Sequence, residues 1–247
     1  MSRLYSDLAR IYYEMYQSIF NYGREYRRCH AILTKHSCKR ILEAGCGSGN
    51  LAPRFLAAGY DYTGVDLAAG MLRIARREAP GARFLRGDMR RLPPTLTGFD
   101  AIYSGGRCFA YMVSNRDVQQ ALASFHRALK PGGILIFDNF DAAAIFPNRR
   151  EPITQRVERE GRRYTRVSTN TPNLATGWTW NWRARYVVEA GGRRQTFRDD
   201  SVLRAFTPDE LKLFLRLAGF ATLGLRRRSA ALFAVARKGS APIRNPQ

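Results

Sequence analysis

The chain has 247 residues, 45% of them hydrophobic, which is enough for one sizeable α/β domain with room for an inserted segment. No run approaches the roughly 18 consecutive apolar residues of a membrane span. The formal charge of +21 raises the nucleic-acid class, but Lys occurs only as Lys35, Lys39, Lys130, Lys212 and Lys238, and the Arg are spread along the whole chain, so no basic stripe marks a polynucleotide track.

Residues 3 to 35 read as helical and aromatic, with Leu4, Leu8, Ile11, Met15 and Ile19 at helical spacing. The opening "MSRLYSDLARIYYEMYQSIF" carries charges and tyrosines throughout and does not read as a secretory signal. Tyr5, Tyr12, Tyr13, Tyr16 and Tyr22 are more aromatic surface than a solvated helix needs, so this segment is expected to close over a site as a lid. Next come a buried strand "RILEAG", a helix "NLAPRFLAAG", a strand "YTGVD" and a helix "MLRIARREAPG" stopped by Pro80 and Gly81. Strands "ARFLRGD" and "FDAIYSG" precede a long helix capped by Ser114 with Asp117 three residues on, then the strand "ILIFDNF". Strands alternating with helices at this spacing predict a parallel, doubly wound sheet.

The alternation breaks between 141 and 203. "YTRVSTNT", "GWTWNWRARYVVEA" and "RRQTFRDDSVLRAF" predict an inserted antiparallel sheet, with "AGGR" as a hairpin turn. Trp178, Trp180 and Trp182 alternate, so all three are expected on one face, packed on the core. A helix follows with Thr207 as cap, Pro208 in its first turn and Glu210 completing a capping box. "ATLGLRRRS" and "ALFAVARKG" predict a closing hairpin, and "SAPIRNPQ" a frayed tail. Cys29, Cys38, Cys46 and Cys108 form no CxxC pair and read as reduced thiols of a cytoplasmic protein.

The glycine turn "LEAGCGSGN" opens a helix directly after a strand, which places backbone N–H groups beside a ligand. Gly45, Gly47 and Gly49 give the frame G-x-G-x-G, one position short of the nicotinamide fingerprint, with Glu43 ahead of it. With Asp66 ending the second strand, "GDM" the third, "FDAIYSGG" the fourth and "LKPGGILIFD" leading into the fifth, residues 40 to 140 resemble the class I S-adenosylmethionine-dependent methyltransferases. That resemblance implies S-adenosylmethionine as cofactor, Asp66 on the ribose hydroxyls, and Asp88 and Met89 at the adenine. It also assigns Tyr26, Glu43, Gly45, Cys46, Gly47, Gly49, Leu67, Met71 and Ser104 to the cofactor.

The aromatic opening "YSDLARIYYEMY", the segment "REYRR" and the re-entry "LRAFTPDEL" resemble small-molecule N-methyltransferases of the amino-sugar and glycine type. Tyr13 stands where the amino-sugar pattern has Asp. The resemblance implies catalytic roles for Tyr16 and Tyr111, and acceptor contacts from Tyr12, Tyr13, Arg107 and Arg204. None of His30, His36 and His126 falls in the loops after the fourth and fifth strands, so no His base is expected there. Asp138–Asn139 resembles the metal pair of catechol-type O-methyltransferases, but their further Asp has no counterpart in "YSGGRCF", so no metal is expected.

The expected architecture is a Rossmann-like doubly wound α/β sheet of seven strands with the last hairpin antiparallel. Its core is residues 39–140 and 204–247, with a β subdomain at 141–203 and a helical lid at 1–38. The expected function is methylation of a small molecule at nitrogen, with no membrane partner and a monomer or homodimer as the working unit. O-methylation, an RNA-directed methyltransferase using the Arg excess, and a non-catalytic cofactor-binding subunit remain alternative readings.

Overall fold

The computed structural model describes residues 8–147 and 152–239. Leu4 and Tyr5 of the opening segment, residues 148–151 of the insertion and the tail 240–247 lie outside the described residues.

Two helices, α1 (Ala9–Ile19) and α2 (Tyr22–Lys35), stand where the sequence suggested one continuous stretch. Phe20 is extended, and the Asn21 side chain accepts the Arg24 N–H at 2.8 Å, so a new N-cap interrupts the pattern. The alternating core follows: β1 (Arg40–Ala44), α3 (Ala52–Ala57), β2 (Asp61–Asp66), α4 (Ala69–Glu78), β3 (Arg83–Arg86), β4 (Phe99–Ser104), α5 (Asn115–Ala128) and β5 (Leu129–Phe140). Ser114 and Asp117 make the expected reciprocal capping box on α5.

A short α6 (Ala142–Ile145) leads into a four-stranded antiparallel sheet: β6 (Ile153–Arg159), β7 (Arg162–Pro172), β8 (Trp178–Ala190) and β9 (Arg193–Ala205). Strand β6 was not expected; its Arg and Glu leave only Ile153 and Val157 as a weak apolar alternation. Gly191 and Gly192 turn the β8–β9 hairpin with φ of +53° and +72°, the left-handed pair that a two-residue turn needs. The chain closes with α7 (Pro208–Leu217), β10 (Phe220–Arg228) and β11 (Ala231–Lys238). The capping box expected on α7 is only half made. Thr207 accepts the Glu210 N–H, but the Glu210 side chain is drawn to Arg204.

The main sheet has the order β10-β11-β5-β4-β1-β2-β3, parallel from β3 to β5, with β11 antiparallel to β5 and to β10. Strand order reverses between β1 and β4, so their C-terminal ends diverge and leave a crevice there. Fully buried Phe109, Phe125, Phe137 and Phe206 build the core on one side of the sheet, and Phe55, Tyr62 and Tyr103 on the other.

The second sheet packs against the end of β5 and the turn that follows β4. Trp180 is buried against Phe140 and Phe146, and Trp182 packs beside Tyr164 and Tyr186, which places the alternating Trp face inward; Trp178, at the end of the row, stays 39% exposed. Helix α1 lies between this sheet and α4. Its Met15 is fully buried with Tyr164 and Tyr186, and its Ala9 with Ala68 and Met71. No helix among the described residues is long and apolar enough to cross a membrane.

Candidate active site

A cavity of about 350 Å³ opens at the C-terminal ends of β1 to β5 and runs beneath α1 and α2. At its glycine end the turn after β1 brings Gly45, Cys46 and Gly47 to the wall. Gly45 has φ +82°, and a Cβ there would come within 2.8 Å of Cys108 Sγ. Gly47 has φ +53° with nothing within 4 Å of an added Cβ, so its backbone faces open space. Gly49 has a different use: an added Cβ would meet Phe84 at 2.9 Å and Ala75 at 3.0 Å, so this glycine seats the helix on the sheet and does not line the cavity.

The strand ends supply acids. Glu43 is buried and accepts the Tyr62 hydroxyl at 2.6 Å. Burial, only partly offset by that bond, pushes its carboxyl up to about 8. Asp66 accepts the Gly47 N–H and the Ala68 N–H, each at 2.8 Å, which ties the glycine turn to the end of β2. Burial raises its carboxyl against those two bonds. Asp88 and Met89 stand at the end of β3. Burial would raise Asp88, but hydrogen bonds from Arg90 outweigh it and hold the carboxyl below the usual range. Arg90 also reaches Asp117 at 2.7 Å.

The other end of the cavity is aromatic. Tyr12 comes from α1, Phe20 from the link after it, Tyr22 from α2, Tyr103 from β4 and Tyr111 from the 3₁₀ turn at Cys108–Tyr111. Among them stand Glu25, which accepts the Tyr103 hydroxyl at 2.6 Å, and Asp138 at the end of β5. Among the described residues, five acidic side chains line the cavity (Glu25, Glu43, Asp66, Asp88 and Asp138) against one basic side chain, Arg90. In a chain of formal charge +21, this concentration of acid is local to the site.

Of the residues expected at a site, the cavity gathers Glu43, Gly45, Cys46, Gly47, Asp66, Leu67, Met71, Asp88, Met89, Tyr12 and Tyr111. The others are held elsewhere. Tyr16 stacks on Tyr12 at 3.9 Å, but its hydroxyl accepts from Arg166 of the second sheet. Tyr13 reaches Glu78 on α4. Tyr26 stacks between His30 and Phe55. Ser104 is fully buried, and its hydroxyl has no partner among the described residues. The Arg107 guanidinium sits over the Phe140 ring. Arg204, 1% exposed, pairs with Glu210 and lies over Phe206 and Phe214.

Phe20, Tyr22, Glu25, Tyr103, Cys108 and Asp138 were not foreseen as site residues. Glu25 is the neighbour of Tyr26 in "REYRR", and the helical phase turns the acid inward. Tyr22 and Glu25, three apart, mark the same face of α2.

A family profile described as "Methyltransferase domain" matches residues 41–133. The chain is 35% identical over 115 residues to a putative methyltransferase, YqeM, of Bacillus subtilis (strain 168), covering 44% of this chain and 47% of that one. It is 31% identical over 114 residues to malonyl-[acyl-carrier protein] O-methyltransferase of Serratia marcescens (45% and 42% covered), and 36% identical over 116 residues to glycine/sarcosine N-methyltransferase of Halorhodospira halochloris (44% and 43%). The chain thus spans about half the length of the curated relatives it matches. Two solved structures superpose over nearly the whole chain. A methyltransferase of Clostridium acetobutylicum ATCC 824 has a TM-score of 0.79 at 16% identity (95% and 98% covered). CalS10, an amino pentose methyltransferase from Micromonospora echinaspora seen with S-adenosylmethionine bound, has 0.74 at 25% identity (92% and 96%). Residues 41–133 thus match a methyltransferase domain, and the strand order, the open glycine turn and the acids at the ends of β1, β2 and β3 agree with that match.

Proposed function

We propose that the protein transfers a methyl group from S-adenosylmethionine to the nitrogen of a small amine. The observation that carries this reading is the acceptor end of the cavity, where Glu25 and Asp138 stand among Tyr12, Tyr22, Tyr103 and Tyr111, and where no basic side chain among the described residues forms the lining. Carboxylates and tyrosine faces favour a cationic guest. The similarity to a glycine/sarcosine N-methyltransferase supports the same atom, and that to an amino pentose methyltransferase supports an amine-bearing small molecule. O-methylation is the second reading, favoured by the malonyl-[acyl-carrier protein] relative; among the described residues no basic side chain lines this end of the cavity to meet a malonyl carboxylate.

The residues present fit the cofactor. Asp66 would hold the ribose hydroxyls, Asp88 and Met89 the adenine, Glu43 the ammonium of the amino-acid tail, and Gly47 leaves its backbone open to close approach. Bound S-adenosylmethionine supplies an electrophilic methyl group on a sulfonium. Tyr12 and Tyr111 shape the acceptor end and exclude water. Tyr16, its hydroxyl taken by Arg166, positions Tyr12 through the stacked rings, and α1 is the lid.

Incubation with S-adenosylmethionine and matched panels of small amines, alcohols and carboxylic acids tests the function, with S-adenosylhomocysteine read by mass spectrometry. Methylated amines are expected; turnover confined to the acids would sink the reading. Asp88→Ala is expected to weaken S-adenosylhomocysteine binding by about 1–3 kcal/mol in isothermal titration, because it removes a hydrogen-bond partner from the adenine and leaves Arg90 short of one. Glu43 predicts a proton effect. Its carboxyl, raised to about 8, is protonated at pH 7. A cofactor ammonium beside it favours the anion, so binding releases a proton, and affinity rises with pH until about 8. Calorimetry in buffers of different ionisation enthalpy measures that release, and Glu43→Gln should abolish it.

A further inference from the structure

Asp138 stands out in the sequence and lines the cavity, yet it has had no chemical task so far. It follows Phe137, the β5 residue in register with Ser104 of β4, and opens onto the acceptor end. The Arg107 N–H donates to its Oδ1 at 2.7 Å, and among the described residues Oδ2 takes no hydrogen bond or ion pair. Arg107 makes that bond from φ +62°, a conformation that a side-chain-bearing residue holds only when its surroundings impose it. The carboxylate is thus aimed by a neutral amide, with one oxygen left for a guest.

The neighbouring groups are committed elsewhere. Glu25 accepts the Tyr103 hydroxyl and pairs with Arg28. Burial raises the hydroxyls of Tyr12, Tyr22 and Tyr103 and the Cys108 thiol above their usual ranges, so they stay protonated. An ordinary amine, with a pKa near about 10, arrives at neutral pH as an ammonium without a lone pair.

We propose that Asp138 is the general base that receives the acceptor's proton. The N–H bond breaks, its electron pair stays on nitrogen as the lone pair, and the new O–H bond forms on Oδ2 of Asp138. This rests on the reading of the protein as an amine methyltransferase. Tyr103 faces the carboxylate from β4, Arg107 and Cys108 from the loop after β4, and Glu25 and Arg28 from α2; Phe233, paired with it on β11, brings no charge. Burial pushes the carboxyl up to about 6; Glu25 adds to this, while the Arg107 N–H and the charges of Arg107 and Arg28 oppose it. The group is then ionised at pH 7 and more basic than an ordinary Asp, as general-base work requires.

Asp138→Asn keeps an oxygen for the Arg107 N–H and tests the assignment. Turnover of the best amine in the panel is expected to fall about 10²–10³-fold at pH 7 with S-adenosylhomocysteine affinity unchanged. Wild-type kcat should rise with pH through about 6 and level off, and the variant should lack that limb. A second readout needs no turnover. In protein labelled with ¹³C at the Asp carboxyls, the resonance that Asp138→Asn removes should titrate near 6, and dimethylammonium chloride, used as the probe, should lower its midpoint. If Asp138→Asn does not fold, Asp138→Glu assigns the same resonance. Unchanged turnover in the variant, or a resonance indifferent to dimethylammonium in protein that binds S-adenosylhomocysteine, overturns the proposal and leaves the methyltransferase reading standing. If S-adenosylhomocysteine itself does not bind, that reading fails first and the proposal with it.

Discussion

Asp66→Ala is expected to weaken S-adenosylhomocysteine binding more than a hundredfold. Two losses coincide in this one side chain. It would hold the ribose hydroxyls, and it already fixes the glycine turn by accepting the N–H of Gly47 and of Ala68. Hydrogen bonds to a charged group contribute about 1.5–3 kcal/mol each, so losing the ribose contacts and loosening the turn together should cost about 3–4 kcal/mol. Asp66→Asn separates the two. It can still accept one backbone N–H, and about half of the loss should return. Isothermal titration of both variants decides the matter, and an Asp66→Ala protein with wild-type affinity would remove the ribose assignment.

The second large effect is on stability. Arg204 was expected at the acceptor, but its side chain is buried between Phe206 and Phe214, paired with Glu210 and hydrogen-bonded to the Val113 carbonyl at 3.3 Å. Removing one partner of a buried pair typically costs about 3–5 kcal/mol, because the other charge is left without its counter-ion. Arg204→Ala should therefore lower Tm by about 10 °C in a chain of this size. Glu210 is 22% exposed and can turn toward water, so Arg204→Met, which keeps the apolar stem, should recover part of the loss. A substrate contact would give the opposite pattern, with Tm unchanged and turnover reduced. Thermal melts beside single-point assays separate the two.

The contrast between these residues shows what a sequence can disclose. Gly45, Gly47, Asp66 and Asp88 were legible because their positions follow from local rules: a strand ends, a turn of positive φ begins, and the next strand ends beside it. The main sheet was readable for the same reason, since its apolar strands alternate with helices that Gly59 and Pro80 stop and Ser114 starts. Tyr16, Arg204 and Glu25 were not. Whether Tyr16 faces the cavity or Arg166 depends on how α1 is rotated against a sheet formed about 150 residues later, and no local spacing sets that angle. Arg204 was read as an acceptor contact; its partners Phe206, Phe214 and Glu210 lie close in sequence, but only the seating of α7 makes them an enclosure. Strand β6 escaped because its alternation is carried by charged residues, which an apolar pattern search passes over.

Helix α1 has a consequence in time. Glu14 accepts from Tyr164 and Tyr16 from Arg166, each across a sequence separation of 150 residues, while Met15 is buried against the same strands. During synthesis at about 5–20 residues per second, α1 emerges roughly 10–30 s before the strands that will hold it. A lone helix of 11 residues is marginal in water. The first helix of the described chain can be held in its final place only once those strands are made, and only then does α1 cover the cavity. Sequence-distant contacts of this kind leave the aromatic face of nascent α1 uncovered in the interval, open to premature association.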